Sequence, residues 1–294
     1  MYGLITDLKR FAIHDGDGIR TTVFLKGCPL RCLWCHNPEG LSGKQQLAYY
    51  AGKCQNCGFC AESCPSGAHS FIKGRHTFDP ALCAACGTCV AECPGSALTL
   101  YGKQVTPEDL LPLLLEDRAF YESSGGGVTL SGGECLMQPE FCAELLRLLK
   151  QEGIHTAVDT CGFVRREALD AVIPYADIFL YDLKAVDEDV HIRCTGQSNR
   201  LILDNLRYLD ELGKAMEIRI HYVPGLNDHQ LPKIRDFIQT LNHVTGVRLL
   251  PYHNYAGTKY AALGIPNTLP DTLPSQQEME LGKKLLSDVG ISLK

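Results

Sequence analysis

Cysteine is the residue type whose number and spacing stand out in this chain. Fifteen of the 294 residues are cysteine. Three of them, Cys28, Cys32 and Cys35, follow the spacing C-x3-C-x2-C. Eight more lie between residues 54 and 93, in two copies of C-x2-C-x2-C-x3-C-P. Thiols at such short spacings are typical ligands of zinc or of iron–sulfur clusters.

The composition indicates the setting in which these thiols act. The chain is 45% hydrophobic and 21% charged, with a net charge of −6 and no Lys/Arg run, which disfavours nucleic acid or an acidic membrane as the main partner. Residues 1–20 lack the apolar region of a signal peptide, and no stretch reaches the ~18 apolar residues of a membrane span. We therefore expect a cytoplasmic protein whose thiols stay reduced and bind metal.

The cysteines divide the chain into residues 1–46, residues 47–102 and residues 103–294. Apolar patterning predicts a strand before the first cysteines and alternating helices and strands throughout the third part. The predicted strands are 21–27, 126–133, 154–160, 177–184, 216–225 and 246–253. The predicted helices are 107–124, which contains Pro112, and 139–153, 165–176, 199–213 and 231–244.

Alternating strands and helices with short connections predict an α/β fold of parallel strands joined by right-handed crossovers. Polar residues follow several of the predicted strands, as in "DT", "DLK" and "PYH". In a parallel α/β barrel the carboxyl ends of the strands build the active site. The pattern therefore favours a complete or partial barrel over an open, doubly wound sheet.

The two long cysteine runs resemble the bacterial ferredoxin sequence, in which the fourth cysteine of each run binds the other cluster. That resemblance implies one [4Fe–4S] cluster on Cys54, Cys57, Cys60 and Cys93, and a second on Cys64, Cys83, Cys86 and Cys89. Zinc knuckles are the alternative. They use C-x2-C pairs without the third cysteine and without the proline after the fourth.

The first three cysteines offer one ligand fewer than a cubane has irons. If a cubane binds here, one iron lacks a protein ligand and can bind a substrate or cofactor. The alternative is a zinc site of three cysteines completed by His36.

The C-x3-C-x2-C triplet, with Trp34 before its last cysteine, resembles the signature of the radical S-adenosylmethionine superfamily. The stretches "HDGDGIRTTVFLKGCPLRCLWCHNPE" and "SSGGGVTLSGGE" are similar to the activating enzymes of glycyl radical enzymes. This resemblance covers residues 1–46 and 103–260. It implies a partial (β/α)6 TIM-like barrel from residues 1–46 and 103–294, and an inserted ferredoxin-like domain at 47–102. It also implies three [4Fe–4S] clusters and bound S-adenosylmethionine.

The same resemblance implies roles for particular residues, and it requires no acid–base pair. It assigns cofactor contacts to Trp34, Cys35, His36, Gly132, Gly133, Glu134, Asp182, Leu183, Lys184, Arg219 and His253. It assigns a Na⁺ or K⁺ site to Asp159, Thr160, Leu180 and Asp182, where Leu180 offers a main-chain carbonyl. Asp15 is implied to hold the partner's glycine loop, and Asp17 replaces a proline common in that motif.

The implied function is the activation of a glycyl radical enzyme that carries a glycine loop near its C-terminus. A flavodoxin or ferredoxin is the implied electron donor. Two alternatives stay open at this point: a radical enzyme acting on another peptide or a small molecule, and a polyferredoxin electron carrier. The four remaining cysteines match no cluster-ligand position of the family. We expect them to be buried as small hydrophobic residues: Cys135, Cys142, Cys161 and Cys194.

Overall fold

A computed structural model describes residues 1–287 and 292–293 of the chain. Its strands are β1 (Gly3–Ala12), β2 (Arg20–Leu25), β3 (Gln46–Tyr49), β4 (His69–Ile72), β5 (Arg75–Phe78), β6 (Leu98–Tyr101), β7 (Lys103–Val105), β8 (Gly127–Gly132), β9 (Thr156–Thr160), β10 (Ile178–Asp182), β11 (Met216–Tyr222), β12 (Val244–Pro251) and β13 (Ser292–Leu293). Its α-helices are α1 (Phe59–Ser63), α2 (Thr88–Ala91), α3 (Pro107–Leu115), α4 (Arg118–Ser124), α5 (Pro139–Gln151), α6 (Arg166–Val172), α7 (Glu188–Thr195), α8 (Arg200–Glu211), α9 (Leu231–Ile238), α10 (Gly257–Leu263) and α11 (Gln276–Ser287).

One mostly parallel sheet of nine strands forms the body of the molecule, in the order β13-β12-β11-β10-β9-β8-β2-β1-β7. The six neighbours from β2 to β12 are all parallel. They also follow one another in chain order, so the predicted α/β fold of parallel strands is confirmed. Their carboxyl ends consequently lie at the same edge of the sheet, as in a parallel barrel.

Two antiparallel strands at one side of this sheet escaped the sequence prediction. β1 pairs with β2, and β7 pairs with β1. The β1–β2 register shifts between Ile5 and Asp7 and again between Lys9 and Ala12. Such irregularities break the strict alternation of buried and exposed residues that identifies a strand in a sequence.

The main hydrophobic core lies between the sheet and its helices. Helix α5 shows the underlying pattern, since it buries five apolar residues at helical spacing: Phe141, Cys142, Leu145, Leu146 and Leu149. Cys135, Cys142, Cys161 and Cys194 are all buried, as the sequence predicted. In the part of the chain that the structure describes, no helix combines the length and the apolar character needed to cross a bilayer.

The prediction of a single helix over residues 107–124 is wrong. The helix continues through Pro112 and ends at Leu115, and α4 begins only at Arg118. The break coincides with Asp117, whose buried carboxylate accepts hydrogen bonds from Arg10 and from the hydroxyl of Thr21 (2.8 Å). These bonds tie the start of α4 to β1 and β2, which no local helix signal could reveal.

Residues 47–102 lie in the connection between β2 and β8 and form two small sheets of their own. β3 pairs with β6, and β4 pairs with β5, both antiparallel. A hydrophobic cluster separate from the main core holds these strands together. It comprises Leu47, Cys60, Cys89 and Leu98, with Tyr49, Phe71, Phe78, Cys83, Val90 and Cys93 packed against them.

Candidate functional site

The loop of residues 28–35, called here the cysteine loop, follows β2 and has no regular secondary structure. Its backbone is instead held by a distant segment at the end of α7. The amide of Arg31 donates to the carbonyl of Thr195 (2.8 Å), and the amide of Leu33 donates to the carbonyl of Cys194 (2.9 Å). These bonds from outside the loop supplement one backbone bond within it, from the amide of Cys35 to the carbonyl of Cys32 (3.1 Å), and fix the loop in one conformation.

A second set of bonds reaches the cysteine loop from α10 and the residues after it. The hydroxyl of Tyr260 donates to the carbonyl of Cys35, and the hydroxyl of Thr268 donates to the carbonyl of Leu33, both at 3.0 Å. The loop is therefore clamped from two sides by parts of the chain that lie more than 150 residues away in sequence.

All three thiols of the cysteine loop line one cavity of about 140 Å³, called here the thiol cavity. Its remaining lining residues come mainly from the carboxyl ends of β8, β9, β10 and β11. They are Leu30, Trp34, His36, Asn37, Leu41, Gly132, Gly133, Cys161, Asp182, Lys184 and His221. Residues that the sequence predicted for the site, from three separate segments, thus meet in one place.

The ionisation of the three thiols differs in a way that suits metal binding. Burial raises the pKa of Cys32 to about 12 and that of Cys35 to about 11. A hydrogen bond from Cys161 is the largest influence on Cys28, and the pKa of that thiol is lowered. Desolvated thiolates are unfavourable alone and are stabilised by a bound cation. Three convergent soft donors of this kind fit an iron–sulfur cluster.

Cys161 is a fourth thiol in the thiol cavity, and the sequence analysis predicted only that it is buried. It directly follows Thr160 at the end of β9. Its bond to Cys28 and its burial raise its pKa well above the usual value, so it stays protonated and donates to the sulfur of Cys28. Its position next to the predicted cation residues at a strand end was the available signal.

The two glycines of the "GGE" motif lie where other backbone segments leave no room for a side chain. A Cβ on Gly132, where φ is +125°, would lie 2.1 Å from the carbonyl oxygen of Leu25. A Cβ on Gly133 would lie 2.4 Å from the carbonyl oxygen of Gly40. Both glycines line the thiol cavity, so the close packing also leaves their backbone exposed to any ligand there.

Glu134, the third residue of that motif, is almost fully buried. Its carboxylate accepts hydrogen bonds from the hydroxyl of Thr160 (2.9 Å), the amide of Cys161 (2.7 Å) and the amide of Leu136 (3.0 Å). Burial raises the pKa of Glu134 even so. Its carboxylate therefore fixes the turns after β8 and β9, while the glycines face the cavity.

The buried Lys184 and the partly buried Asp182 form an ion pair of 2.9 Å at the wall of the thiol cavity. Burial alone would lower the pKa of Lys184, but the Asp182 carboxylate outweighs it and the pKa is raised. Burial would likewise raise the pKa of Asp182, yet Lys184 lowers it to about 2. The lysine is thus a fixed positive charge in a desolvated site. Leu183, between them, points into the main core.

A larger cavity of about 510 Å³, called here the outer cavity, adjoins the thiol cavity and shares Trp34, His36 and His221 with it. Its other lining residues are His14, Arg219, Arg248, Leu249, Leu250, Pro251, Tyr252 and His253. His14, His221 and Arg248 were not singled out from the sequence. His221 lies two residues beyond Arg219 on β11, and strand alternation places both on the same face.

Arg219 connects the outer cavity to two carboxylates. Its guanidinium lies 3.1 Å from Asp159 and 3.8 Å from Asp15. Burial raises the pKa of Asp159 to about 7 against the opposing effect of Arg219. Asp159 also accepts a hydrogen bond of 2.6 Å from Ser131. The carboxylate that the resemblance assigned to a substrate loop therefore lies close to one assigned to a cation.

The four residues predicted to bind Na⁺ or K⁺ lie on two neighbouring strands. Asp159 and Thr160 end β9, Asp182 ends β10, and Leu180 is paired directly with Asp159. The hydroxyl of Thr160 donates to Glu134. Asp182 keeps one oxygen, Oδ1, buried and without a hydrogen-bond partner in the described residues. The cation site stays a prediction.

Several buried polar atoms around the two cavities have no hydrogen-bond partner within the described residues. They are Oδ1 of Asp182, Nε of Arg219, Nδ1 of His221 and Nδ1 of His253. Burial lowers the pKa of His221 to about 4 and lowers that of His253, so both rings are neutral. Unpaired buried groups are rare in folded proteins and call for an explanation, such as a functional role or a bound water or ion.

Trp34, within the cysteine loop, and His36, directly after it, both line the outer cavity. The ring of His36 packs edge-on against His253, with 3.7 Å between ring centroids. Burial is the main cause that lowers the pKa of His36 to about 4. Trp34 is almost fully buried and packs in a small hydrophobic cluster beside Val190 and Tyr252. Together these side chains form an aromatic wall suited to a planar ring.

The eight cysteines of residues 54–93 form two groups in space. One small cavity is lined by Cys54, Cys57, Cys60 and Cys93, the set that crossed ligation predicts. In the other group, burial raises the pKa of Cys89 to about 11. The electrostatic effect of neighbouring cysteines raises this pKa further, most strongly from Cys83 and Cys64 and then from Cys60 and Cys86. Four convergent thiols per group fit a [4Fe–4S] cluster.

Comparisons with known proteins agree with this geometry. The profile of the radical SAM superfamily matches residues 22–238. The solved structure of SuiB from Streptococcus suis bound to S-adenosylmethionine is 15% identical and covers 65% of this chain and 43% of its own, with a TM-score of 0.52. That likeness concerns the fold alone.

Curated relatives narrow the family further. The choline trimethylamine-lyase activating enzyme of Oleidesulfovibrio alaskensis is 45% identical over 270 residues, 89% of this chain and 87% of the relative. The trans-4-hydroxy-L-proline dehydratase activating enzyme of Clostridioides difficile is 45% identical over 265 residues, 88% of this chain and 87% of the relative. The chain therefore belongs to the radical SAM superfamily and, within it, to the activating enzymes of glycyl radical enzymes.

Replacing Cys161 tests whether the fourth thiol of the thiol cavity is a ligand. We expect Cys161→Ala to keep its iron after anaerobic reconstitution, because the thiol is a protonated donor to Cys28. Cys28→Ala should lose about four irons per chain, one cubane. Iron analysis of both variants beside the unaltered chain gives the measurement. An equal loss from Cys161→Ala would make it a fourth ligand and remove the open iron.

Replacing Lys184 tests the fixed positive charge. We expect Lys184→Met to weaken the binding of S-adenosylmethionine roughly 10- to 100-fold, since a hydrogen bond to a charged group contributes about 1.5–3 kcal/mol. Equilibrium binding to iron-loaded protein is the measurement. Lys233→Met is the matched control, because Lys233 also pairs with an aspartate (Asp187, 2.6 Å) but lies at the surface. Equal affinities of Lys184→Met and the control would contradict the assignment.

Proposed function

We propose that this chain activates a partner glycyl radical enzyme. With the cluster and S-adenosylmethionine bound, one electron cleaves the sulfonium to methionine and a 5′-deoxyadenosyl radical, which abstracts a Cα hydrogen from one glycine of the partner. The observation that carries this proposal is the junction of the thiol cavity with the outer cavity at Trp34, His36 and His221. A metal site and a space for a second reactant share one wall.

The chain's own residues would hold the cofactor by charge and shape. Cys28, Cys32 and Cys35 hold the cluster, and the exposed backbone of Gly132 and Gly133 borders it. The fixed charge of Lys184 suits the methionine carboxylate. In the outer cavity, Nε of Arg219 and Nδ1 of His253 have no hydrogen-bond partner among the residues that the structure describes. These contacts are our proposal, supported by the cavity linings and the unpaired atoms.

The outer cavity suits a loop of polypeptide from the partner. Its volume of about 510 Å³ is several times that of the thiol cavity, and Arg219 and Arg248 lie in its wall. Asp15 reaches Arg219 from the connection between β1 and β2 and also accepts a bond of 2.8 Å from Thr22. We infer that Asp15 meets the partner's glycine loop here and that the parallel strands curve as a partial (β/α)6 barrel around it.

We propose that residues 47–102 are a ferredoxin-like domain with two further [4Fe–4S] clusters. The support is the cavity lined by Cys54, Cys57, Cys60 and Cys93, the second thiol group, and the separate hydrophobic cluster. With the cluster of the cysteine loop, the chain would hold three. A Na⁺ or K⁺ ion beside Asp182 completes the proposed cofactors.

A flavodoxin or ferredoxin is the proposed electron donor. Cys57 and Cys86, one from each cysteine run, are exposed. A cluster held at these positions lies near the protein surface, where a soluble donor can approach it. The two additional clusters would then pass electrons towards the cysteine loop.

Hydrogen transfer tests the proposed reaction. We expect a candidate partner labelled with deuterium at its glycine Cα positions to give deuterated 5′-deoxyadenosine when mixed with reduced, loaded protein and S-adenosylmethionine. Mass spectrometry of the nucleoside and the glycyl radical signal of the partner are the measurements. A partner with the loop glycine replaced by alanine is the control.

Two outcomes of that experiment would contradict the proposal. Nucleoside without deuterium for every partner of this class would favour a radical enzyme with another peptide or small-molecule substrate. The absence of any cleavage of S-adenosylmethionine under strong reductant would favour an electron carrier, because a carrier has no open iron.

Replacing the eight cysteines of residues 54–93 with alanine tests the inserted domain. We expect iron to fall from about twelve to about four atoms per chain, the content of one cubane. Activation driven by a flavodoxin should fall with it, while cleavage with dithionite, which reaches the remaining cluster directly, is retained. Iron analysis and both assays on one preparation give the measurement. Unchanged flavodoxin-driven activation would show that these clusters are dispensable.

A further inference from the structure

Two buried histidines lie beside one cysteine of the inserted domain. His69 and His76 are adjacent on the β4–β5 hairpin, 5% and 8% exposed. Nε2 of His76 lies 3.4 Å from Sγ of Cys60 and 2.9 Å from Nδ1 of His69. The three side chains form a continuous Cys–His–His chain. No role assigned above uses either histidine.

Packing holds the His76 ring in this orientation. Its face meets Tyr49 edge-on, with 4.3 Å between ring centroids, and its backbone amide donates to the side chain of Asn56 (3.1 Å). His69 stacks on Phe78 at 5.0 Å. The outer ring nitrogens, Nε2 of His69 and Nδ1 of His76, have no hydrogen-bond partner in the described residues. The pair is therefore oriented from inside the domain, towards Cys60.

The sulfur of a metal-bound cysteine selects one form of His76. A thiolate can only accept a hydrogen bond, and a neutral imidazole carries one N–H. A bare Nε2 at 3.4 Å would set two lone pairs against each other, so the proton belongs on Nε2 when Cys60 is a ligand. Nδ1 of His69 then accepts from the same N–H and keeps the ring aimed between the two acceptors.

The internal repeat of the domain offers a built-in comparison. His69 lies four residues after Pro65, the end of the first cysteine run, and Leu98 lies four residues after Pro94. In the same way, His76 precedes the second run by seven residues, where Leu47 precedes the first. Both leucines are buried on paired strands, as the histidines are. One half of the repeat thus has imidazoles where the other half has hydrocarbon.

Backbone hydrogen bonds to the cysteine sulfurs are alike in the two halves. The donors are Asn56 to Cys54 (3.4 Å) and Ala85 to Cys83 (3.4 Å), then Ala68 to Cys64 (3.3 Å) and Ala97 to Cys93 (3.2 Å). In the other thiol group, the hydroxyls of Ser66 and Thr88 lie near the sulfurs of Cys64 and Cys86, but both hydroxyl residues are exposed to solvent. The imidazole at Cys60 is accordingly the buried donor that distinguishes the two groups.

We propose that His76, oriented by His69, donates a hydrogen bond to the Cys60 sulfur and raises the reduction potential of the cluster held by Cys54, Cys57, Cys60 and Cys93. This inference rests on the cluster proposed above for that thiol group. A donor to a cluster sulfur stabilises the extra negative charge of the reduced state, and burial strengthens the effect. His76 thus acts on the cluster through the sulfur of Cys60 and is not itself one of the cluster's ligands.

The test is a redox titration of the full, anaerobically loaded chain, followed by electron paramagnetic resonance. Addition of S-adenosylmethionine identifies the signal of the cysteine-loop cluster and leaves two auxiliary signals. His76→Leu introduces the residue found at the matching position of the other half. We expect this variant to lower the midpoint potential of one auxiliary cluster by about 59 mV, which is a tenfold change in the equilibrium constant for one electron. His76→Gln retains an N–H donor and should stay near the unaltered chain. Leu47→Ile, at the matching position, should leave that midpoint unchanged.

A second readout does not depend on how well the leucine variant folds. Protein labelled with ¹⁵N only in the imidazole rings of histidine should show a ¹⁵N hyperfine coupling to one reduced auxiliary cluster; the backbone amides stay unlabelled because that of His69 hydrogen-bonds to Cys64 of the other group. His76→Gln should abolish that coupling and retain the cluster.

The failures are distinguishable. About twelve irons per chain with an unmoved midpoint in His76→Leu, or no ¹⁵N coupling in the labelled chain, would overturn the role of His76 alone. About four irons in the unaltered chain, or zinc bound at Cys60, His69 and His76, would overturn the proposed auxiliary clusters together with this inference.

Discussion

The site depends on one constraint. The eight-residue loop with three cysteines has no regular secondary structure, so residues from distant parts of the chain must form hydrogen bonds with its backbone. The carbonyls of Cys194 and Thr195 and the hydroxyls of Tyr260 and Thr268 do so from two sides. In the chain, Cys194 and Thr195 come after strand β10 of the parallel sheet, and Tyr260 and Thr268 come after strand β12. The sheet's order therefore decides where the thiols converge, and the cavities follow from that.

Charge in this site is arranged in pairs that burial makes rigid. Lys184 with Asp182, and Arg219 with Asp159, put two cations and two carboxylates at the ends of neighbouring strands. A buried charge without a partner is costly, so each member fixes the other. Oδ1 of Asp182, which has no hydrogen-bond partner among the described residues, belongs to a residue that lines the thiol cavity, where a polar ligand can pair with it. In these charged side chains, some atoms therefore stabilise the fold by pairing with each other, while other atoms of the same side chains are available to bind a ligand.

Residues 47–102 are organised differently. Its hydrophobic cluster is small and includes the cysteines themselves, so the proposed clusters would serve as part of its core. Repetition gives its two halves the same backbone bonds to sulfur. Differences between the halves then come from single side chains, and the histidines beside Cys60 are the buried example. A duplicated scaffold can in this way hold two centres with unequal electronic properties.

The sequence by itself determined the ligand chemistry and the repeated α/β order, because cysteine spacing and apolar periodicity are local. It predicted the parallel strands, the burial of the four remaining cysteines and several of the residues that line the thiol cavity. It did not reveal the irregular strand β1, the break at Asp117, the bond of Cys161 to Cys28, the inward turn of Glu134 or the contact of His76 with Cys60. Each of these features depends on contacts between separate segments of the chain, and only the packed tertiary structure brings those segments together.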